Sequence, residues 1–169
     1  MTVRALREPL KVYRIGDPAG RYPVYSGDGA ALFPGRWNEH RQPAIYTGEH
    51  YSTALLEILA HANAVLPPNQ HFIEIQIPQH TSYEEVTKDS LPNWHADDAA
   101  ASRRFGGRWL REQRTAILIV PSYVAREEVN VLINPAHAQW PSIKVSRERP
   151  VMWDRRLFTQ QALVRAPKG

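Results

Sequence analysis

Apolar and polar residues alternate along Lys11-Val12-Tyr13-Arg14-Ile15, Phe72-Ile73-Glu74-Ile75-Gln76-Ile77 and Val129-Asn130-Val131-Leu132-Ile133-Asn134. That is the period-two pattern of strands with one face buried. Gly16-Asp17-Pro18, Pro78 and Pro135 punctuate the three runs. Thr115-Ala116-Ile117-Leu118-Ile119-Val120 is instead continuously apolar and closes at Pro121-Ser122, as a central strand buried on both faces does. A further short strand is expected over Pro43 to Thr47. Helical spacing takes over next: Leu55, Leu59, Ala62 and Leu66 form one stripe of a helix expected to run from an N-cap at Ser52 to about Ala64. At 100° per residue Glu57 lies about 200° around from Leu55, away from that stripe and among the mostly small neighbours Thr53, Ala60, His61 and Ala64. Ala96 to Arg114 is rich in alanine and arginine and helix-prone, with Gly106-Gly107 expected to interrupt or bend it. Ser26 to Ala30 and Phe33-Pro34-Gly35 read as loop.

These elements predict an α+β fold in which helices and mixed short strands share one core. With 169 residues and no repeat, low-complexity tract or linker, residues 1–169 are expected to form a single compact domain. Cysteine is absent, which excludes a disulfide framework, a thiolate metal site and nucleophilic cysteine chemistry. No apolar run approaches the roughly 20 residues that cross a bilayer, and the N-terminus lacks the apolar core of a signal peptide. The expectation is a soluble, cytoplasmic protein with no membrane partner.

A net charge of +4 raises nucleic acid as a partner. The arginines are densest between Arg103 and Arg114 and between Arg147 and Arg156, but Glu112, Glu148 and Asp154 interrupt both stretches. No helix-turn-helix, zinc-finger or RNA-binding signature accompanies them. The charge therefore suits an acidic partner protein or a phosphate-bearing small molecule, and no direct nucleic-acid contact is expected.

The densest chemistry runs from Gly35 to His61. Gly35-Arg36-Trp37-Asn38, Ile45-Tyr46-Thr47 and Ala54-Leu55-Leu56-Glu57 set a guanidinium, a phenol and a carboxylate about ten residues apart. Alone, each has a plainer reading, with Glu57 a surface carboxylate whose i,i+4 companion is His61 and Arg14 a cation on an edge strand. Together they match one ligand. A guanidinium pairs with pyrophosphate through two hydrogen bonds, a ring packs on a flat heterocycle, and a carboxylate stabilises a ribosyl cation. Those needs coincide in NAD, whose N-glycosidic bond breaks through an oxocarbenium-like centre without requiring a metal. No G-x-G-x-x-G joins a strand to a helix, so a dinucleotide fold of that type is not the route.

At these residues the chain resembles the RES domain family, named for an arginine, a glutamate and a serine. Val120-Pro121-Ser122, Asn130 to His137 and Trp153-Asp154-Arg155-Arg156-Leu157-Phe158 extend the resemblance, in order, over nearly the whole sequence. It implies an ADP-ribosyltransferase-like fold and the toxin of a bacterial type II toxin–antitoxin pair. Such a toxin takes NAD as substrate, needs no cofactor, and is paired with an Xre-like antitoxin; a homodimer within that complex is compatible with it. It places the family arginine, tyrosine, glutamate and serine at Arg36, Tyr46, Glu57 and Ser122. Asn134 matches a further family position, and Arg14 falls where the broader fold has a dinucleotide-binding residue. Asn130 and His137 are expected to be structural. Two hypotheses follow. In the first, Glu57, Arg36 and Tyr46 cleave NAD by hydrolysis or phosphorolysis, or transfer its ADP-ribose to a protein, with Ser122, Asn134 and Arg14 aiding binding. In the second, a non-catalytic module holds a nucleotide in the same cleft.

Overall fold

A computed structural model describes residues 2–62, 65 and 67–158. Ala64 and Leu66, assigned above to the helix and its stripe, lie outside the described residues. The described chain is built on one sheet of nine strands: β1 (Arg4–Ala5), β2 (Leu10–Gly16), β3 (Ile45–Gly48), β4 (His71–Ile77), β5 (Ser82–Glu85), β6 (Ile117–Pro121), β7 (Val129–Ile133), β8 (Lys144–Val145) and β9 (Arg149–Pro150). Their order is β1-β5-β6-β7-β3-β2-β4-β8, with β9 also on β4. Neighbours are antiparallel except β5 and β6. Among the described residues three α-helices, α1 (Asp28–Leu32), α2 (Tyr51–His61) and α3 (Ala100–Glu112), and two short 3-10 turns accompany the sheet. The α+β expectation is met, and all four alternating or continuous apolar runs are strands of this sheet.

Strand alternation sorts the core into two sides. Val12, Ile45, Ile73, Ile75, Ile77, Ile117, Val131 and Ile133 fill one cluster. On the opposite side Leu118, Val120 and Leu132 meet Trp37, Trp94, Trp109 and Leu110. The register pairs Tyr46 with Leu132, Gly48 with Asn130, and Asn130 with Val120, so Tyr46, Gly48 and Asn130 share this second side. α3 lies over its β6–β7 portion. The start of α2 lies over β3, because a Cβ at Gly48 would stand 2.9 Å from the Ala54 nitrogen. β3 thus runs beneath the space between two helices.

Three local readings need correction. α2 begins at Tyr51 with His50 as its N-cap, which leaves Ser52 inside the first turn. Its packed face is Tyr51, Ala54, Leu55 and Ile58 against Tyr13, Ile15 and Phe72, because the aromatic side chains on β2 and β4 draw in Tyr51; its ring centroid is 4.8 Å from Phe72 and 5.9 Å from Tyr13. Asp28 to Ala30, within the stretch Ser26 to Ala30 assigned to loop, instead open the short helix α1. Finally, Gly106-Gly107 do not interrupt α3, which runs unbroken from Ala100 to Glu112. A Cβ at Gly106 would lie 1.9 Å from the Trp37 carbonyl oxygen, and one at Gly107 would lie 2.7 Å from the Glu39 carboxyl carbon. The glycines let the helix backbone touch the loop that carries Arg36.

Much of the basic stretch is spent inside the fold. Arg114 makes a forked pair with the buried carboxylate of Glu84, at 2.8 and 3.0 Å, and also binds Glu112. Arg111 pairs with Glu39, and Arg103 donates to the Gly35 carbonyl. Arg104 and Arg108, four residues apart, stay exposed and unpaired among the described residues. No described helix is long and apolar enough to cross a membrane.

Candidate active site

Glu57 reaches from α2 across the end of β3 to β7 and β6. Its Oε1 accepts from the Asn130 amide at 2.6 Å and from the Ser122 hydroxyl at 3.2 Å. Ser122 is fully buried just past β6, and its oxygen also accepts from the Ala125 N–H at 3.1 Å. In this arrangement Ser122 holds the carboxylate and exposes nothing of itself to a ligand. His61, the expected companion of Glu57, instead sets its Nδ1 2.7 Å from the Glu57 backbone carbonyl.

Tyr46 comes up from β3 under the loop that precedes it. Its hydroxyl donates to Asn38 Oδ1 at 2.8 Å and accepts from the Trp37 N–H at 2.9 Å. Asn38, wholly buried, also accepts from the Gly35 N–H and donates to the carbonyls of Ala30 and Gln42. Gly35 is required here, since a Cβ would stand 2.7 Å from the Tyr46 oxygen. The phenol is pushed well above its ordinary range by burial, against the pull of Arg103, Arg14 and Arg36. It is therefore a neutral group that fixes the turn delivering Arg36.

Arg36 leaves that turn toward the segment before α3. Its Nη1 donates to the carbonyls of Trp94 at 3.0 Å and Ala96 at 2.7 Å, and its guanidinium carbon lies 4.0 Å from the centroid of the Tyr123 ring. Tyr123 is itself tied to Asp97 at 3.0 Å. Nε and Nη2 have no protein acceptor among the described residues, which leaves one edge of the fork for a bidentate oxyanion. The cation and the carboxylate meet the same short segment: Ser122 binds Glu57, and the next residue, Tyr123, packs on Arg36.

The other candidates lie elsewhere in the bonding scheme. Arg14 donates to the carbonyls of Val24, Ser26 and Tyr46, the last two at 3.2 and 2.9 Å. Burial lowers its pKa to about 10, leaving it cationic at neutral pH. It braces residues 24–26 against β3 and borders an open hollow of about 260 Å³ lined also by Arg21, Tyr22, Ser26 and Gly29. Asn134 is buried just past β7, donating to the Leu110 carbonyl at 3.1 Å and accepting from the Ala136 N–H at 3.0 Å. Both ends of its amide serve the backbone. His137 caps the same turn, accepting from the Gln139 N–H. Asn130, expected to be structural, instead binds Glu57. Its place in an alternating strand marked it as facing one side or the other; only the register of β7 against β3 and β6 shows that it faces the carboxylate.

Known proteins share both sequence and fold with this chain. The family model described as RES domain matches residues 11–154. The chain is 39% identical over 153 residues to a protein of Sphingobium sp. (strain YBL2) called Prs ADP-ribosylating toxin, covering 86% of this chain and 95% of that one. It is 32% identical over 131 residues to a Toxin Res of Yersinia enterocolitica, covering 76% and 86%. A chain of the M. tuberculosis MbcT–MbcA toxin–antitoxin complex shares the fold, with a TM-score of 0.69 at 17% identity over 87% of this chain and 86% of that one.

Proposed function

Because the chain belongs to the RES domain family, we propose that it is the toxin of a type II toxin–antitoxin pair and that it breaks the nicotinamide–ribose bond of NAD. The observation that carries this reading is a carboxylate held by two donors on one side, Glu57 on Asn130 and Ser122, close in the fold to an arginine with a free edge. In the reaction the C–N bond breaks, nicotinamide departs with the electron pair, and positive charge develops on the ribose. Glu57 stabilises that charge. Arg36 takes the pyrophosphate on Nε and Nη2, and Tyr46, fixed at its hydroxyl and only partly buried, packs its ring on the nicotinamide. An O–H nucleophile then bonds to the ribose carbon and loses its proton to solvent.

The acceptor distinguishes two forms of this activity. Water or inorganic phosphate would deplete NAD by hydrolysis or phosphorolysis. A protein acceptor would make the chain a mono-ADP-ribosyltransferase, a reading favoured by the 39% identity to a protein named as an ADP-ribosylating toxin. Purified protein incubated with NAD should release nicotinamide, and mass spectrometry should find free ADP-ribose, its phosphate ester, or a protein heavier by one ADP-ribose. No nicotinamide release with or without a cell extract would leave the non-catalytic nucleotide-binding module.

Expression alone should arrest bacterial growth with falling NAD, and co-expression of a neighbouring Xre-like protein should restore both. Arg104 and Arg108 supply an exposed cationic pair for steering an acidic partner. A partner segment covering Arg36 and Glu57 would compete with NAD, so inhibition that persists undiminished at saturating NAD argues against occlusion.

Arg36→Lys keeps the charge and loses the planar fork, together with its fit to two carbonyls and a ring. Its affinity for NAD should fall by about tenfold or more, the scale of one lost charge-assisted contact. Calorimetry on the two proteins checks this, and equal affinities would make Arg36 a brace for the segment before α3.

A further inference from the structure

The two donors that reach Glu57 converge on a single oxygen. Asn130 Nδ2 lies 2.6 Å from Oε1 and Ser122 Oγ lies 3.2 Å from the same atom. Oε2 receives no protein donor among the described residues. Asn130 makes the shorter contact, and it does so while its own Oδ1 is buried with no hydrogen-bond partner. An unsatisfied buried acceptor destabilises a fold, so this side chain is not explained by folding. Turning the amide over would not relieve it, because Oδ1 would then face the carboxylate oxygen and repel it.

Backbone geometry explains how Glu57 comes within reach. Asn130 pairs with Gly48 across β3. The glycine has no side chain, so the first turn of α2 rests directly on β3, where a Cβ would stand 2.9 Å from the Ala54 nitrogen and would not fit. One turn beyond the buried Thr53, Glu57 then spans to β7.

We propose that Asn130 is a positioning residue for catalysis: it clamps Glu57 by Oε1 so that Oε2 is the oxygen presented to the developing ribosyl cation. This rests on the NAD-cleaving reading above. The Ser122 hydroxyl is the second, longer tether, and the amide sets the direction. A carboxylate free to swing would stabilise the charge only in a fraction of its orientations.

Two variants test the clamp. Asn130→Ala removes both the donor and the unpaired oxygen; kcat for nicotinamide release should fall about 10- to 100-fold, with KM for NAD changed by less than about twofold. The melting temperature should hold or rise. Asn130→Asp keeps the shape and replaces the donor with a like charge, and its kcat should fall further. Crystal structures of both variants should show the Glu57 carboxylate displaced from its position. Wild-type kcat in either variant overturns the proposal, as does an unmoved carboxylate in both, or a loss of activity accompanied by an equal loss of melting temperature and NAD affinity. An unmodified protein that releases no nicotinamide removes the NAD reading instead, and the crystallographic comparison still decides whether Asn130 holds Glu57.

Discussion

Glu57→Gln should lower nicotinamide release by about two or more orders of magnitude, the scale of one lost electrostatic contact to a transition state. The substitution is nearly isosteric, and the amide oxygen of Gln can take the place of Oε1 in accepting from Asn130 and Ser122. The fold and the approach of α2 to β3 are therefore retained. What disappears is the negative charge that the proposed reaction sets against the ribose. Because that charge matters only once the glycosidic bond begins to open, the loss belongs to kcat, while the dissociation constant for NAD should change by only a few-fold. Rapid-quench measurement of nicotinamide together with calorimetric titration separates the two quantities. Near-normal turnover in a well-folded Glu57→Gln protein would remove this carboxylate from the chemistry, and with it the reason for the Asn130 clamp.

The sequence pattern carried the framework well where burial is one-sided or complete. β2, β4 and β7 alternate, β6 is continuously apolar, and each lies in the sheet within about two residues of its expected bounds, the usual uncertainty at element ends. β1, β5, β8 and β9 were not legible. They are two to four residues long, too short for a period to register, and they exist because neighbouring strands offer edges: β4 to β8 and β9, β6 to β5, and β5 in turn to β1. The short helix α1 was missed because glycine and aspartate at its start are also the residues of turns.

Legibility within the site divides along the same physical line. Arg36, Tyr46 and Glu57 stand in a compact segment whose residue types belong to one chemistry, so they could be singled out by spacing. The contacts of Asn130 and Asn134 depend on long-range register instead. Both are asparagines near β7, one within the strand and one just past it. Yet Asn130 faces Glu57 whereas Asn134 turns back to the α3 backbone at Leu110. Four residues of separation put them on the same side of an ideal strand. Both do meet that helix-covered side: Asn130 lies within the strand and reaches α2, and Asn134, just past the strand end at Ile133, reaches α3. The segment before α3 was equally hidden: Trp94 and Ala96 hold Arg36 through main-chain carbonyls, which any residue type provides.

Gly106→Ala should be the most damaging small substitution outside the carboxylate. The added methyl would stand 1.9 Å from the Trp37 carbonyl oxygen and 2.7 Å from its carbon, far inside van der Waals contact, and both sides of the contact are main chain. Neither can yield by changing a rotamer, so α3 and the loop from Gly35 to Glu39 must separate. Overpacking of this kind costs about 1–3 kcal/mol, and at this chain length roughly 2–4 °C of melting temperature per kcal/mol. The damage should extend to function through Trp37, whose N–H binds the Tyr46 hydroxyl and whose neighbour is Arg36. Activity should therefore fall even at temperatures where the variant remains folded. Gly29→Ala is the matched control: a Cβ there meets nothing within 4 Å, and alanine is the better helix former inside α1 by up to about 1 kcal/mol. Thermal melts and nicotinamide release measured on the two variants together separate contact from composition. Equal melting temperatures for both variants would mean that α3 and the arginine loop approach less closely than this packing requires.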